Sequence, residues 1–283
     1  MIILHDPLCA EYGSHMRPEQ PARVLRSAAH LRATHPDWTW QVPAIADETV
    51  LKKAHTPDLL KRLQHGPDLD ADTPYFEGIY DHARRSVGAA LAATQLALDG
   101  HPAFTLMRPP GHHCTRSQAM GFCYLNQIAI AALTAAETGH RVAVWDFDAH
   151  HGNGTEDILR DRPNLLFVSV HQFPGYPGTG TTSFGNCQNF AVAPHTPREQ
   201  HMADLARSWD KVLGFRPDLV LVSAGFDAYV DDPITEMTLE RDDFATLGRW
   251  LRESGLPAAA ILEGGYSPDL PQLIDAFLGA WNH

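Results

Sequence analysis

Two adjacent histidines, His112 and His113, follow a Pro-Pro-Gly turn in the stretch "RPPGHHCTRSQAMGFCYLN". Adjacent side chains point to opposite faces of a strand and diverge by about 100° around a helix. Both rings can therefore face one point only from an irregular loop, which the Pro-Pro-Gly turn would provide. Because imidazole gains and loses protons near neutral pH, the pair predicts acid and base chemistry on this loop.

A second cluster, "WDFDAHHGNGT", places Asp146, Asp148 and His150 at alternate positions where an apolar strand ends. An extended backbone sets alternate side chains on one face, so two of them could hold a divalent metal with a third carboxylate. Asp227, which closes "VLVSAGFD", is the candidate for that ligand. An Asp-His-Asp set leaves open positions on zinc, where bound water has its pKa lowered toward about 7. The cluster predicts a catalytic zinc site with one zinc per chain.

Further polar residues could complete this chemistry. One histidine of the pair could take a proton from the water and return it to a leaving amine, while the other stabilises developing charge. Each imidazole needs a partner on its second nitrogen, and Asp146 and Asn153 are the candidates. Tyr266, on a Gly-Gly hinge in "EGGYS", could donate a hydrogen bond to an oxyanion.

The elements that must position these residues form an alternating pattern. Short apolar runs occur at the start of the chain and from Phe104, Val142, Leu165, Leu219 and Ala258, and helix-like segments lie between them, at about 19–34, 79–99, 126–138, 198–214, 240–253 and 269–281. Strands alternating with helices predict an α/β fold with a mostly parallel sheet and helices on both faces. Polar residues follow nearly every strand, so they should converge at the carboxyl edge of the sheet.

The organisation predicted is a single domain over residues 1–283, without internal repeats or linkers. One stretch, 172–197, is rich in Gly, Pro and Thr and is expected to be a long functional loop. The four cysteines show no C-x-x-C spacing and are expected to be reduced thiols.

Composition excludes several classes of protein. A net charge of -12 without a basic run argues against nucleic-acid binding, which needs clustered Lys and Arg. No stretch approaches the roughly 18 apolar residues of a membrane span, and the N-terminus does not resemble a signal peptide. A cytoplasmic protein is expected. The sequence makes no prediction about its oligomeric state.

The chain resembles the zinc-dependent histone deacetylase family, which includes bacterial histone-deacetylase-like amidohydrolases and acetylpolyamine amidohydrolases. The matching stretches are "RPPGHH", "GFCYLN", "WDFDAHHGNGTED", "VSVHQFPGYPGTG", "VSAGFDAYVDDP" and "EGGYS", in the family's order, with a weaker match in "HMRPEQPARV". The resemblance implies an arginase/deacetylase-like α/β fold with zinc held by Asp148, His150 and Asp227.

The same resemblance implies roles for the other residues. His113 would be the general base and acid, His112 its electrostatic partner paired with Asp146, and Tyr266 the donor that polarises the carbonyl. Four residues match the walls and rim of an acyl-lysine tunnel: Gly121, Phe122, Tyr176 and Asp72. A structural potassium ion would lie near the zinc, in a shell that matches Asp146, Asp148, His150, Ser169 and Val170.

Three departures from the family pattern bear on the chemistry or the substrate. Asn153 stands where many members have an aspartate, a choice similar to that of the class II branch, and a neutral amide should raise the basicity of His113 less than a carboxylate would. Ile234 stands where polyamine-selective relatives have a glutamate, and the dimerisation insertion of acetylpolyamine amidohydrolases is missing. The missing glutamate and the missing insertion both disfavour strict polyamine selectivity, although two carboxylates, Asp231 and Asp232, lie close to Ile234 in the sequence.

The expected function is zinc-dependent removal of an acetyl or related acyl group from an acylated lysine peptide or protein, or from a small acylated amine. An acetylpolyamine or other small-molecule amide is the alternative substrate. A binding module that recognises acyl-lysine without turnover is a further alternative. A binuclear ureohydrolase of the arginase type is disfavoured, because Ala149, His151 and Gly152 offer no extra bridging carboxylates beside His150.

Overall fold

A computed structural model describes residues 1–282 of the chain, so His283, the last residue of the predicted domain, lies outside the described residues. Eight strands form one sheet: β1 Ile2–Leu4, β2 Thr39–Gln41, β3 Ala103–Thr105, β4 Val142–Asp146, β5 Leu165–Gln172, β6 Cys187–Val192, β7 Leu219–Ala224 and β8 Ala258–Leu262. They lie in the order β2-β1-β3-β8-β7-β4-β5-β6. Every pair of neighbouring strands in the sheet is parallel.

The six predicted strands are all present. Burial explains why the sequences of the central strands are apolar. β4, β7 and β8 are buried at every residue, as expected for parallel strands covered on both faces. The two strands without a prediction, β2 and β6, lie at the edges of the sheet. Edge strands bury less surface and carry a weaker apolar pattern.

The stretch 172–197 is therefore not a loop throughout. Its residues Cys187–Val192 form β6, which pairs with β5. Polar residues such as Gln188 and Asn189 interrupt this strand, and Gly and Pro flank it, so no apolar run marks it. The preceding part of the stretch is irregular and carries Tyr176.

Nine α-helices connect the strands: α1 Ala22–Thr34, α2 Glu48–Leu51, α3 Pro57–His65, α4 Ile79–Leu98, α5 Gln127–Glu137, α6 Asn153–Leu159, α7 Arg198–Phe215, α8 Arg241–Ser254 and α9 Leu270–Asn282, all within residues 1–282. The six helices predicted from the sequence are found within three residues at each end. The short helices α2, α3 and α6 were not predicted.

Helices cover both faces of the sheet, which confirms the predicted α/β architecture. α4 packs on β3 and β8, and α5 packs on β4 and β7. On the other face, Trp145 of β4 packs against Trp209 of α7, with ring centroids 4.7 Å apart, and against Trp250 of α8. Among residues 1–282, no helix combines the length and apolarity that crossing a membrane requires.

Candidate active site and metal centre

The polar residues predicted to converge do lie at one edge of the sheet. Strands β3, β8, β7 and β4 are consecutive neighbours, and the segments that leave their carboxyl ends carry His112 and His113, Tyr266, Asp227, and Asp148 with His150, in that order. Parallel strands place their carboxyl ends together. Residues separated by more than 150 positions therefore meet at this edge.

Asp148, His150 and Asp227 bring one potential ligand atom each to within 4.8 Å of one another. His150 Nδ1 lies 3.2 Å from Asp148 Oδ1 and 2.9 Å from Asp227 Oδ2. Both carboxylates are fully buried. Two carboxylates and one imidazole nitrogen directed at one point form a donor set that zinc accepts.

The electrostatics of the three residues fit a bound cation. Burial raises the pKa of Asp227, and the neighbouring carboxylate of Asp148 raises it further. Burial lowers the pKa of His150, but Asp227 and Asp148 outweigh it and raise that pKa to about 10. The two carboxylates therefore stabilise a positive charge between them, which a divalent metal would supply in place of the imidazole proton.

Two glycines allow the carboxylates to approach each other. A Cβ at Gly225 would lie 2.0 Å from Asp148 Oδ2, and one at Gly264 would lie 2.2 Å from Asp227 Oδ2. The remaining carboxylate oxygens accept backbone hydrogen bonds: Asp227 Oδ1 from Ala149 N at 2.8 Å and Asp148 Oδ2 from Gly264 N at 2.7 Å. The ligand set is thus held in position by the strands around it.

His112 and His113 lie in a turn and face the same region, with ring centroids 4.1 Å apart. His112 Nδ1 lies 3.1 Å from Asp146 Oδ2, and His113 Nδ1 lies 2.8 Å from Asn153 Oδ1. These are the two partners that the sequence suggested. His113 is also near the metal centre, with its ring centroid 6.0 Å from that of His150.

The histidine turn is fixed from both sides by backbone hydrogen bonds. Glu263, directly after β8, accepts from Gly111 N at 2.7 Å and His112 N at 3.1 Å. On the other side, the first turn of α6 donates from Gly154 N and Thr155 N to the carbonyl oxygen of His112, both at 3.0 Å. Neither imidazole therefore depends on a free loop for its position.

The two histidines have opposite protonation tendencies. Burial lowers the pKa of His112, but the carboxylates of Asp148 and Asp146 outweigh it and raise that pKa to about 10. Burial and the positive charges of His112 and His150 hold the pKa of His113 well below its usual range. The surroundings thus favour protonation of His112, which contacts Asp146, and the neutral form of His113, which contacts Asn153.

Hydrogen bonds from Arg23 and to Asp232 fix the backbone of the loop that carries Tyr266. Arg23 donates to the carbonyl oxygens of Gly265 at 2.7 Å and Glu263 at 2.5 Å, and its guanidinium carbon lies 4.7 Å from the centroid of the Tyr266 ring. Asp232 Oδ2 accepts from Tyr266 N at 2.7 Å. The structure also explains why both residues before Tyr266 are glycines. Gly264 has no space for a side chain beside Asp227, and Gly265 adopts a φ of +112°.

A cavity of about 310 Å³ leads from the surface to His113 and His150. It is lined by Arg17, Pro18, Asp72, His113, Gly121, Phe122, His150, Tyr176, Ile234 and Tyr266. A Cβ at Gly121 would lie 2.6 Å from the His113 ring and 2.9 Å from that of Tyr176, so only glycine fits between these two rings. All five residues expected to contact substrate line this cavity.

Three of the residues that the resemblance assigns to a potassium shell, Asp146, Ser169 and Val170, lie on the adjacent strands β4 and β5. Asp146, at the end of β4, is in register with Ser169 of β5 and Ser223 of β7. The Ser169 hydroxyl lies 2.8 Å from His171 Nδ1, and the buried Ser223 hydroxyl has no partner among residues 1–282. Val170 is buried beside them.

Four residues of the site make contacts that were not predicted from the sequence. Glu263 holds the histidine turn, Arg23 and Asp232 hold the tyrosine loop, and Arg17 lines the cavity. The sequence also places Asp232 near the position where polyamine-selective relatives have a glutamate, but both of its carboxylate oxygens accept hydrogen bonds from backbone N–H groups. The one signal for Arg17 and Arg23 was the weak match in "HMRPEQPARV".

Comparison with known proteins identifies the family. The histone deacetylase domain matches residues 17–280. A probable deacetylase of Methanothermobacter thermautotrophicus is 36% identical over 290 residues, covering 95% of this chain and 86% of the relative. A histone deacetylase-like amidohydrolase of Pseudomonas aeruginosa is 38% identical over 248 residues, covering 80% of this chain and 65% of the relative.

The fold agrees with these relationships. The crystal structure of an acetylpolyamine aminohydrolase from Burkholderia pseudomallei superimposes with a TM-score of 0.90 at 27% identity, covering 100% of this chain and 98% of that one. The arginase/deacetylase-like fold expected from the sequence is therefore confirmed. On sequence and on fold, the chain belongs to the histone deacetylase family.

Proposed function

We propose that this protein is a zinc-dependent deacetylase that hydrolyses the amide of an N-acylated lysine or a similar primary amine. The observation that carries the proposal is the meeting, in one cavity, of the Asp148, His150 and Asp227 cluster with the neutral imidazole of His113. A metal site and a proton-transfer group in one cavity are the parts that metal-assisted amide hydrolysis needs.

Asp148, His150 and Asp227 would hold the zinc, which supplies Lewis acidity for the amide carbonyl and for a water molecule. His113 takes a proton from the attacking water and delivers it to the nitrogen of the departing amine. Its Nδ1 is engaged with Asn153 at 2.8 Å, which leaves Nε2 for this transfer. The imidazolium of His112, paired with Asp146, stabilises the negative charge that develops beside it.

Tyr266 donates its phenol hydrogen bond to the carbonyl oxygen as that oxygen gains charge. Its pKa is raised by burial well above the usual range, so the phenol keeps the proton that it donates. Phe122 and Tyr176 line the entrance and pack on the alkyl chain of the substrate. We also propose a structural potassium ion within the shell of Asp146, Asp148, His150, Ser169 and Val170.

The test is acetate release from an ε-acetyl-lysine peptide and, in parallel, from an N-acetylated polyamine, each with a chelator control. Chelator-sensitive turnover of the peptide supports the proposal. Turnover of the polyamine alone would favour acetylpolyamines as the substrate class. The similar Burkholderia structure is that of an acetylpolyamine aminohydrolase. Binding of the peptide without turnover of either substrate would favour the acyl-lysine binding module.

A further inference from the structure

The mouth of the cavity carries two side chains of opposite charge outside the proposed catalytic residues. Arg17 and Asp72 both line it. Arg17 is half-buried and Asp72 is exposed. The rest of the entrance, formed by Pro18, Phe122 and Ile234 among others, is uncharged. A ligand that extends out of the cavity therefore meets one permanent cation and one carboxylate.

Arg17 is presented by a firmly anchored segment. Two residues further along the chain, the buried Glu19 accepts from Arg108, with Nη2 and Oε2 2.7 Å apart, and lies 3.4 Å from Nη1 of Arg23. Arg108 is itself fully buried. This buried ion cluster fixes the backbone that leads to Arg17, so the guanidinium starts from a defined position at the mouth.

Asp72 is presented in the same way on the opposite segment. Asp70 Oδ1 accepts from Asp72 N at 2.7 Å and from Thr73 N at 2.9 Å. The hydroxyl of Thr73 accepts from Phe122 N at 3.0 Å. The turn that carries Asp72 is therefore tied to the tunnel wall at Phe122, and Oδ1 of Asp70 is engaged within that turn.

The charges of both side chains are uncompensated. Within residues 1–282, Arg17 and Asp72 form hydrogen bonds through their backbone N–H groups alone, Arg17 to Ser14 O at 3.2 Å and Asp72 to Asp70. The charge of Asp72 acts on the cavity wall, because burial and the charges of Asp70 and Asp72 raise the pKa of Tyr176.

We propose that Arg17 and Asp72 form a subsite for the zwitterion of an α-amino acid, so that the preferred substrate is a free Nε-acyl-lysine. The guanidinium pairs with the α-carboxylate, for which its planar fork is suited, and Asp72 pairs with the α-ammonium. This inference rests on the proposed function, because the acyl-lysine side chain must pass through the cavity to the catalytic residues.

The charge at the mouth separates this substrate from two others. An acetylated polyamine or diamine presents an ammonium alone, which Asp72 attracts and Arg17 repels. An acetyl-lysine inside a peptide presents neutral amides, which use neither charge fully. The cavity volume of about 310 Å³ is at the lower end for ligand pockets, which suits one acylated side chain.

The test compares Nε-acetyl-L-lysine with N-acetylcadaverine, because these compounds differ by the α-carboxylate alone. We expect a kcat/KM at least tenfold higher for acetyl-lysine. Arg17→Gln should lower kcat/KM for acetyl-lysine about tenfold, through KM, and should raise it for N-acetylcadaverine. Arg62→Gln, which removes the same charge from the exposed face of α3, should change neither value.

Two further measurements keep this inference distinct from the proposed function. Calorimetric binding of both compounds to a His113→Ala variant should give a Kd about tenfold lower for acetyl-lysine, without any dependence on turnover. Acetate release from a neutral acetyl-lysine peptide tests the proposed function itself. Equal affinity for both compounds, or equal effects of Arg17→Gln on both, with the peptide still turned over, would overturn the zwitterion subsite alone.

Discussion

At the scale of single residues, the site assigns different states to two adjacent imidazoles. His112 contacts a buried carboxylate and carries positive charge, whereas His113 contacts the neutral amide of Asn153 and stays unprotonated. A proton-transfer group must be able to accept a proton before it can donate one. His113 alone meets that requirement at the cavity, where it lines the wall and His112 does not.

His113→Ala should therefore lower kcat by about 100- to 10,000-fold, the usual contribution of a general acid and base, with a small change in KM. Steady-state acetate release from an acetyl-lysine peptide would measure both constants. His101→Ala, at an exposed position, is the matched control. A His113→Ala variant with wild-type kcat would remove His113 from the mechanism.

Ile234 is a second residue with a specific expectation. It is 36% exposed and lines the cavity. Ile234→Glu would add a carboxylate at the mouth and should raise kcat/KM for N-acetylated polyamines roughly fivefold, since an exposed ion pair is worth up to about 1 kcal/mol. Val230→Glu, which is exposed outside this cavity, should give no such gain.

At the scale of elements, the site depends on contacts between the segments that follow β7 and β8. Asp232, buried after β7, accepts from Tyr266 N at 2.7 Å, Ser267 N at 3.3 Å and Ile234 N at 3.1 Å. One carboxylate thus joins the segment of the metal ligand Asp227 to the loop that carries the phenol. We regard Asp232 as a positioning residue for Tyr266.

Asp232→Asn should lower kcat by up to about 100-fold, because a displacement of about 1 Å at a reacting group costs that much. KM should change little, since Asp232 does not line the cavity. In a Tyr266→Phe background the same substitution should add almost nothing, because both changes remove one contribution. Asp231→Asn, at the exposed neighbouring position, should be neutral, and additive losses in the double variant would contradict the positioning role.

The elements also show how far the sequence could lead. Asp148 and His150 follow one apolar strand at alternate positions, and Asp227 follows another, so their meeting could be predicted from strand ends alone. The contacts of Asp232 with Tyr266, and of Glu263 with Gly111 and His112, join segments more than 30 positions apart. No local pattern marks such contacts. The edge strand β6 was not predicted either, because its polar residues interrupt the apolar pattern that marks the other strands.

At the scale of the whole molecule, the buried histidine His55, outside the candidate metal cluster, links stability to pH. Asn126 N donates to His55 Nε2 at 2.9 Å, so Nδ1 carries the proton and donates to Thr115 O at 3.0 Å. Burial lowers the pKa of His55 to about 4. Protonation would place a second N–H against that of Asn126. The folded protein therefore holds this ring neutral.

Stability should fall as the pH falls from about 6.5 toward 4, because the unfolded chain takes up the proton first. From pH 7 to pH 5 the loss from His55 is about 2 kcal/mol, measured as the free energy of unfolding in urea. His55→Gln should be less stable at pH 7 and should lose less stability between the two pH values. His101→Gln should keep the wild-type pH dependence; an unchanged dependence in His55→Gln would exclude this linkage.

The number of candidate metal-binding clusters in the molecule predicts how many metal ions each chain binds. Asp148, His150 and Asp227 are the one cluster of metal-ligating side chains of this kind within the described residues 1–282. A binuclear centre needs further bridging carboxylates beside the first set. We therefore expect activity to require one zinc ion per chain.

The measurement that tests this most directly is acetate release from an ε-acetyl-lysine peptide during titration of the metal-free protein with zinc. We expect no turnover at the start, a linear rise with added zinc, and saturation at one equivalent per chain. Turnover by the metal-free protein, or saturation at two equivalents, would contradict a single zinc site formed by Asp148, His150 and Asp227.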